Sequence, residues 1–326
     1  DVKFRGIFDY WKQGTGLSAT QAFIAHVDNG LTGKIYKDDG DGVWDDISGS
    51  ASFEVGKHPS YCVFEDTIIL TTDSTSDVPQ KWTQSGNVAN LGGSPPNFAF
   101  AVAHVNRVWA AGVASNPSRL YYSVGLDGED WTGADAGSID IDPEDGDRIL
   151  GLASHRDELF VFKGPHKLSI HRIQGKSEAT FSRLLLARGV GASSHNSIIP
   201  IKNDLLFIDP MGIHSLKMTD AYGDFEEAYL SEPIASYFRD KLELNRLEDC
   251  YGGNYGAGRY AIWLVTGKDK VQNNMVIGLD YSFNPPWLFR WPIAAASVAS
   301  RTKSNGQRGL YLGRYDGFVV EADRRD

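Results

Sequence analysis

Short apolar runs alternate with polar turns along the whole chain, and the clearest unit lies between Ser154 and Arg172. Its sequence, SHRDELFVFKGPHKLSIHR, holds two apolar runs, LFVF and LSIH, on either side of the turn KGPH. The polar sequence HRDE precedes the first run. β-favouring runs bounded by turn residues are typical of antiparallel hairpins. The stretch therefore predicts two neighbouring strands of an antiparallel sheet.

The same pattern recurs in groups of up to four short runs. The turn before the second run of each group marks the repeat, and it falls at Thr20, Asp66, Asn106, Asp157, Asn203, Gly258 and Gln307. These positions are 46, 40, 51, 46, 55 and 49 residues apart. A period of roughly 40 to 50 residues with four strands per unit is the signature of a β-propeller. We predict an all-β, seven-bladed propeller that forms a single domain over residues 1–326, with six blades plus flanking strands as the alternative.

The last repeat, which begins at Ser297, lacks a fourth run. Two alternatives would complete it: a strand from outside this chain, or an N-terminal strand that closes the ring. Because the chain starts at Asp1 and not at Met, we expect a processed product or a portion of a longer chain.

One segment departs from the β pattern. Residues 231–244, SEPIASYFRDKLEL, begin with a serine that suits a helix N-cap and carry Pro233 in the first turn, where its missing N–H is harmless. Apolar residues recur at helical spacing at Ile234, Tyr237, Phe238 and Leu242. We predict a short helical insertion between the fifth and sixth blades that packs on its own protein.

The net charge of −10 argues against a nucleic-acid grip, because an acidic surface gains nothing from phosphate contacts. No apolar run approaches the ~20 residues of a membrane span. Cys62 and Cys250 lie far apart and in no metal-ligand spacing. We expect two reduced thiols, with a single disulfide as the alternative.

Two acidic loops contain residues that bind calcium in other proteins. The turn KDDGDGVWDD, Lys37 to Asp46, carries five aspartates, and DIDPEDGD follows at Asp140 to Asp147. Aspartate oxygens around flexible glycines suit Ca²⁺, but the glutamate that closes an EF-hand loop is missing. A solvated hairpin turn is the favoured interpretation for both loops, and calcium binding is the alternative.

The sequence shows no constellation for catalysis. The eight histidines lie singly, without the HxH or HxxxH spacing of zinc sites. A GxSxG nucleophile elbow and the phosphate-cradling loops GxGxxG and GxxxxGK[ST] are also missing. We therefore predict that the protein is not an enzyme and has no catalytic, cofactor-binding or metal-binding residues.

The aromatic residues suit a propeller. The segment SVGLDGEDW, Ser123 to Trp131, resembles the Asp-box turn of sialidase-like propellers, although Asp127 directly precedes the glycine. That turn is structural, so the likeness indicates a propeller and not a hydrolase. We predict that most tryptophans pack between blades. A minority would be free to stack on sugars, with Trp44 and Trp131 as the residues to test.

Three longer phrases resemble a bacteriophage family. They are AHVNRVWAAGVASNPSRLYYSVGLDGEDWTG (103–133), SIDIDPEDGDRILGLASHRDELFVFKGPHKLSIHRIQG (138–175) and NDLLFIDPMGIHSLKM (203–218), and the opening GIFDYW…IYKDDGDGVWDDIS has the same style. The chain resembles the β-propeller tail proteins of short-tailed phages: tail tubular protein B or nozzle proteins and the related DNA-stabilising hub proteins of the head-to-tail connection. The likeness is strongest in the central third and carries no catalytic residues.

The resemblance implies a structural virion protein. Copies of it, often six, would form a ring around the channel through which DNA is ejected, and would bind adjacent tail or connector proteins. Genomic DNA would only pass through, and an acidic wall would keep it from adhering. A carbohydrate-binding or carbohydrate-active propeller for host attachment is the alternative function, and a cellular protein-interaction scaffold is a third.

Overall fold

The structure is a computed structural model that describes residues 2–14, 19–201, 204–216, 229–255, 259–283 and 285–322. The protein is a seven-bladed β-propeller, as the repeat predicts. Its described strands form seven antiparallel sheets, one for each repeat, which decides between seven blades and six. By their contacts the residues divide into two compact units. The prediction of a single domain stays a prediction.

The first unit comprises Asp1–Ser115, Tyr121–Ser138 and Ala296–Asp326. It holds sheets one, two and seven and most of sheet three. The strands of sheets one and two are β1 (Lys3–Lys12), β2 (Thr20–Asp28), β3 (Gly33–Asp38), β4 (Asp45–Asp46), β5 (Pro59–Phe64), β6 (Thr67–Thr72), β7 (Gln80–Trp82) and β8 (Ala89–Asn90). Sheet three contains β9 (Phe100–His104), β10 (Arg107–Ala111), β11 (Arg119–Tyr122) and β12 (Gly137–Asp140).

The second unit comprises Asn116–Leu120 and Ile139–Ala295. Its strands are β13 (Arg148–His155), β14 (Glu158–Gly164), β15 (Ser169–Gln174) and β16 (Ser182–Arg188) in sheet four, β17 (Ile199–Ile201), β18 (Asp204–Ile208) and β19 (Ile213–Ser215) in sheet five, and β20 (Tyr251–Tyr255), β21 (Tyr260–Val265), β22 (Met275–Asp280) and β23 (Trp287–Trp291) in sheet six. The hairpin from which the repeat was inferred is β14 and β15, the middle strands of blade four. A fourth strand expected for blade five, at 225–230, lies mostly outside the described residues.

Three of the repeat-marking turns share one backbone geometry. Both central residues have positive φ in Glu65-Asp66 (45° and 58°), Val105-Asn106 (48° and 55°) and Arg156-Asp157 (51° and 59°). Positive φ at both positions defines the type I′ turn, whose twist matches that of the flanking strands. At these three positions the sequence period therefore marks the tight hairpin turn between the first two strands of a blade. The marking residues Asn203 and Gly258 lie outside the described residues.

Sheet seven contains β24 (Ser297–Thr302), β25 (Arg308–Gly313) and β26 (Val319–Glu321) in the described part of the chain. The N-terminal strand does not complete it, because β1 pairs with β2 in sheet one along its whole length. Within the first unit β1 instead packs beside sheet seven. The Phe4 N–H donates to the Arg314 carbonyl at 3.1 Å, and the Ser297 hydroxyl donates to the Phe4 carbonyl at 3.0 Å.

The predicted insertion is helical. A short 3₁₀ turn, Glu232–Ile234, leads into helix α1 (Ala235–Lys241), and a 3₁₀ segment follows at Leu244–Asp249. The α-helix ends three residues earlier than predicted. Ser231 is not the predicted N-cap, because its hydroxyl makes no cap hydrogen bond and instead accepts from the Ile213 N–H. Phe238 and Leu242 are fully buried against Trp263 and its neighbours in sheet six. The helix therefore packs on its own protein, as expected. Two further 3₁₀ turns are Glu178–Thr180 and His195–Ser197.

Candidate functional site

The first acidic loop is a hairpin turn whose carboxylates have partners. Asp38 accepts hydrogen bonds from the amides of Gly40 and Gly42, at 2.7 and 3.1 Å, and from Arg301 at 2.8 Å. Burial raises the pKa of Asp38, but these donors outweigh it and the pKa is lowered. Asp39 and Asp45 both contact the ammonium group of Lys37. The geometry is that of the favoured interpretation, a turn held by its own side chains.

The second acidic loop is organised by a buried lysine. Lys163, on β14, is fully buried, and its Nζ donates to the carbonyls of Ile141 and Asp142 at 2.6 and 2.8 Å. It also lies 2.8 and 2.7 Å from the two carboxylate oxygens of Asp145. Four oxygens thus surround one ammonium group. Such a set of carbonyl and carboxylate oxygens is what a calcium ion would take, and here a side chain of the protein supplies the positive charge.

The Asp-box-like segment is a scaffold element. Asp130 accepts from the amides of Thr132 and Gly133, at 3.0 and 2.8 Å, and so closes the turn that follows. Arg107 is almost fully buried and donates to the Ser123 carbonyl and to Asp135. These contacts fix the loop against β10 and leave no open cluster of arginines there. The segment therefore has the structural role that the resemblance implies.

The histidines sit in separate places, and half of the eight are buried. Burial lowers the pKa values of His26, His171 and His195 to about 4, so these side chains are neutral near pH 7. His214 stacks on Phe207 and places Nε2 2.9 Å from Oδ1 of buried Asp209. In the described part of the chain, no three His, Cys, Asp or Glu side chains come together in a way that could hold a metal ion.

Both cysteines are free and buried, which excludes a disulfide between Cys62 and Cys250 in this structure. Burial raises the pKa of Cys62 to about 12 and also raises that of Cys250. Thiols with raised pKa values are poor nucleophiles at neutral pH. The expectation of two reduced, structural thiols agrees with their placement.

The tryptophans predicted for packing divide into two groups. Trp82, Trp109 and Trp263 are buried, and each indole N–H donates to a backbone carbonyl. The two candidates for sugar stacking are partly buried: Trp44 packs on Phe4 and Phe23, and Trp131 packs on Phe98. Neither is an exposed platform, because each fills space within its own unit. Trp44 and Trp131 therefore offer little free ring face, and their role in stacking on sugars stays a prediction.

Six exposed or partly exposed aromatic residues lie on blade six, and we call them the blade-six aromatic surface: Tyr255, Tyr260, Phe283, Trp287, Phe289 and Trp291. Strand alternation places Trp287, Phe289 and Trp291 on one face of β23. Phe289 pairs with Gly278, and a Cβ at that glycine would lie 2.1 Å from the ring. The glycine therefore lets the Phe289 ring lie flat on the sheet. Trp287 is 65% exposed and Phe283 is 42% exposed.

Charged groups border this surface. Arg259 donates from Nε and Nη2 to the Asp280 carboxylate, at 2.8 to 3.2 Å, and its guanidinium lies 4.9 Å from the centre of the Tyr260 ring. The hydrogen bonds from Arg259, together with those from Ser282, lower the pKa of Asp280 to about 2 although burial opposes them. A fixed ion pair and stacked rings therefore share one face of the blade.

A second exposed feature is the outer strand of blade four. β16 has seven residues, whereas the outer strands β4, β8, β12 and β23 have two, two, four and five. It carries three consecutive leucines, of which Leu184 is 45% and Leu185 37% exposed. In the sheet order of the described strands, β16 pairs only with β15. Its outer edge therefore presents unpaired backbone groups beside apolar side chains.

A pocket in the first unit is too small for a cofactor. It has a volume of about 100 Å³, with an apolar floor of Phe64, Ile69 and Leu91 and an acidic rim that includes Glu65 and Glu129. Ligand pockets usually measure roughly 300–1,000 Å³. This cavity therefore fits a single apolar side chain or a few waters.

Comparisons with known proteins show the fold and nothing finer. No protein-family model matches the sequence. No curated protein matches it either. Among solved structures, the WD40 β-propeller domain of Doa1 is similar over 98% of this chain and 92% of that one, with a TM-score of 0.53 and 10% identity. The computationally designed protein Ika8 is similar over 91% and 79%, with a TM-score of 0.50 and 11% identity.

BamB from Moraxella catarrhalis is also similar, over 94% of this chain and 81% of that one, with a TM-score of 0.47 and 12% identity. At such identities the likeness extends to the propeller architecture only. One further observation concerns membranes. Within the described ranges, every helix is too short or too polar to cross a bilayer.

Proposed function

We propose that the protein is a non-enzymatic structural component of a phage virion, located in the tail or the head-to-tail assembly. It forms part of a ring of copies around the DNA-ejection channel and binds adjacent tail or connector proteins, while genomic DNA passes through without being a specific ligand. The phrases that resemble those of propeller tail proteins of short-tailed phages support this proposal. So does the seven-bladed fold, which that family implies.

One observation carries the scaffold role: the exposed edge of β16. An unpaired strand edge with apolar side chains is a template for pairing with another chain, and proteins normally shorten or charge such edges. The other outer strands follow that rule, since none exceeds five residues. β16 instead exposes Leu184 and Leu185 along seven residues. An edge that is left long, with Leu184 and Leu185 exposed between Arg183 and Arg188, favours a protein that works by binding other proteins.

The placement of titratable groups supports a non-catalytic role. Lys163 and Arg107, which would be natural electrophilic groups in an active site, are buried in hydrogen bonds to loops. The neutral histidines and high-pKa thiols are buried within the units. The net charge of −10 suits a wall past which DNA moves, because like charge prevents adhesion.

Mass spectrometry of purified phage particles tests the proposal. We expect the protein at a fixed, multi-copy ratio to the major capsid protein, and we expect it to remain after gradient purification. Its absence from particles that are otherwise complete would overturn the virion assignment. If the protein is present, electron microscopy of the same particles counts the copies in the ring.

A further inference from the structure

The blade-six aromatic surface brings two exposed aromatic rings, Phe283 and Trp287, into contact with each other. Phe283 and Trp287 stack with their centroids 4.7 Å apart and their planes 15° apart, while both remain open to solvent. Leaving rings of this size exposed forgoes the free energy that burial of their apolar surface would contribute. Most other large aromatic side chains of the chain avoid that loss by packing in a core.

The other rings of the blade-six aromatic surface pack against one another. Tyr260 meets Phe289 edge-on, with centroids 5.9 Å apart and planes at 87°, and Phe289 contacts Trp291 at 4.9 Å. Gly278 allows this arrangement by removing the side chain that would lie under Phe289. A binding surface whose rings are already fixed loses little conformational entropy when a ligand arrives.

The polar groups at this surface are equally fixed. The Arg259 guanidinium lies 5.9 Å from the centre of the Phe283 ring and is clamped by Asp280. Asp280 in turn accepts from the amide and the hydroxyl of Ser282, at 3.0 and 2.6 Å. The Asp280 carboxylate is buried and saturated by these donors, so the polar group open to solvent beside the rings is the Arg259 guanidinium, with its charge compensated.

From this combination we propose that the blade-six aromatic surface binds a neutral carbohydrate chain, of which one sugar ring stacks on the outer face of Trp287, backed by Phe283, and the hydroxyls accept hydrogen bonds from the half-exposed Arg259 guanidinium. A sugar ring offers a flat face of C–H groups and a rim of hydroxyls, so it satisfies both parts of the surface. This site goes beyond the structural role proposed above and does not depend on it.

Other occupants fit the same groups less well. Single-stranded nucleic acid also stacks on aromatics, but it needs a positively charged groove, and here Asp280 neutralises Arg259 on an acidic protein. An apolar protein surface would cover the half-exposed Arg259 guanidinium and leave its outward N–H groups without an acceptor, which is costly. Sugar hydroxyls can accept from those N–H groups, which is why the ligand is a carbohydrate.

A glycan array of neutral and charged oligosaccharides, followed by titration calorimetry on the best ligand, tests the proposal. We expect binding to at least one neutral glycan, and a loss of about tenfold or more in affinity for Trp287→Ala and for Phe283→Ala. Trp11→Ala is the matched control, because Trp11 is 43% exposed at another place in the chain. It should bind like the wild type, and Trp287→Tyr should keep most of the affinity.

Three outcomes would overturn the proposal: no glycan bound, binding unchanged in Trp287→Ala, or binding only to single-stranded DNA or acidic glycans. Thermal melts of each variant check that the fold is intact. We expect unchanged melting temperatures, because substitutions at exposed positions usually alter stability little. The result is separable from the virion assignment, since the protein could be found in particles whether or not it binds sugar.

Discussion

The buried ammonium group of Lys163 lies 2.7 Å from the carboxylate of Asp145 and organises the loop that precedes blade four. Removing one partner of a buried ion pair leaves the other charged and poorly solvated. We expect Lys163→Met to lower the free energy of unfolding by about 3–5 kcal/mol, measured by urea denaturation. Lys167→Met, an exposed lysine of the same hairpin, is the control and should change little. Equal stability of the two variants would contradict the role of Lys163.

The same geometry predicts how the protein responds to calcium. The carbonyls of Ile141 and Asp142 and the carboxylate of Asp145 already surround an ammonium group, so they are not free to bind a cation. In the other acidic loop Asp38 is held by two amides and Arg301. We expect the melting temperature to be the same in millimolar calcium and in EDTA. A calcium-dependent rise of several degrees would show that a loop binds the ion.

Three buried histidines predict a loss of stability in mild acid. The pKa values of His26, His171 and His195 are lowered from 6.5 to about 4 in the folded protein, chiefly by burial. The unfolded chain therefore binds more protons between these values, and stability that is complete above pH 6.5 declines as the pH falls toward 4. Each histidine contributes up to about 1.4 kcal/mol per pH unit.

Urea midpoints at pH 7, 6, 5 and 4.5 measure this decline. His26→Gln removes one titrating group and should flatten the slope, even if it lowers stability at pH 7. His166→Gln, an exposed position, is the control and should leave the slope as in the wild type. A midpoint that stays constant from pH 7 to 4.5 would mean that the buried histidines are not held neutral.

Val105 predicts a stabilising substitution. It occupies the first central position of a type I′ turn with φ of 48°, where a β-branched side chain is strained. Asparagine tolerates this region, so Val105→Asn should raise the free energy of unfolding by about 1 kcal/mol. Val43→Asn replaces another surface valine that is outside the left-handed region, and it should not stabilise. A lower stability for Val105→Asn would show that packing of Val105 outweighs its backbone strain.

The sequence predicted those parts of the molecule that depend on local order. The repeat at Asp66, Asn106 and Asp157 could be read because each type I′ turn needs residues that tolerate positive φ, and Asp and Asn are among them. The helix at Ala235–Lys241 could be read because Phe238 and Leu242 are one turn apart. Both signals lie within a few neighbouring residues.

What the sequence did not predict depends on residues that are distant along the chain. Lys163 meets Asp145 across 18 positions, and no spacing marks a lysine that will be buried. Trp44 and Trp131 are partly buried because exposure is decided by packing partners such as Phe4 and Phe98. Trp287 was visible in the sequence, but its exposure was not. The alternation of Trp287, Phe289 and Trp291 opposite Gly278 was the available signal.

The leucines of β16 allow a direct test of binding through the strand edge. Because Leu184 and Leu185 are exposed, replacing both with glutamate should change the free energy of unfolding little, within roughly 0.5 kcal/mol for each surface substitution. The charges should nevertheless block strand pairing, as charged residues do at natural sheet edges. We expect the double variant to fold normally but to lose self-association in light scattering and incorporation into particles. Leu31→Glu, at an 89% exposed turn position, is the control and should assemble normally. If the double variant assembles as well as Leu31→Glu does, the edge of β16 is not the binding surface, and the partners must contact another part of the propeller.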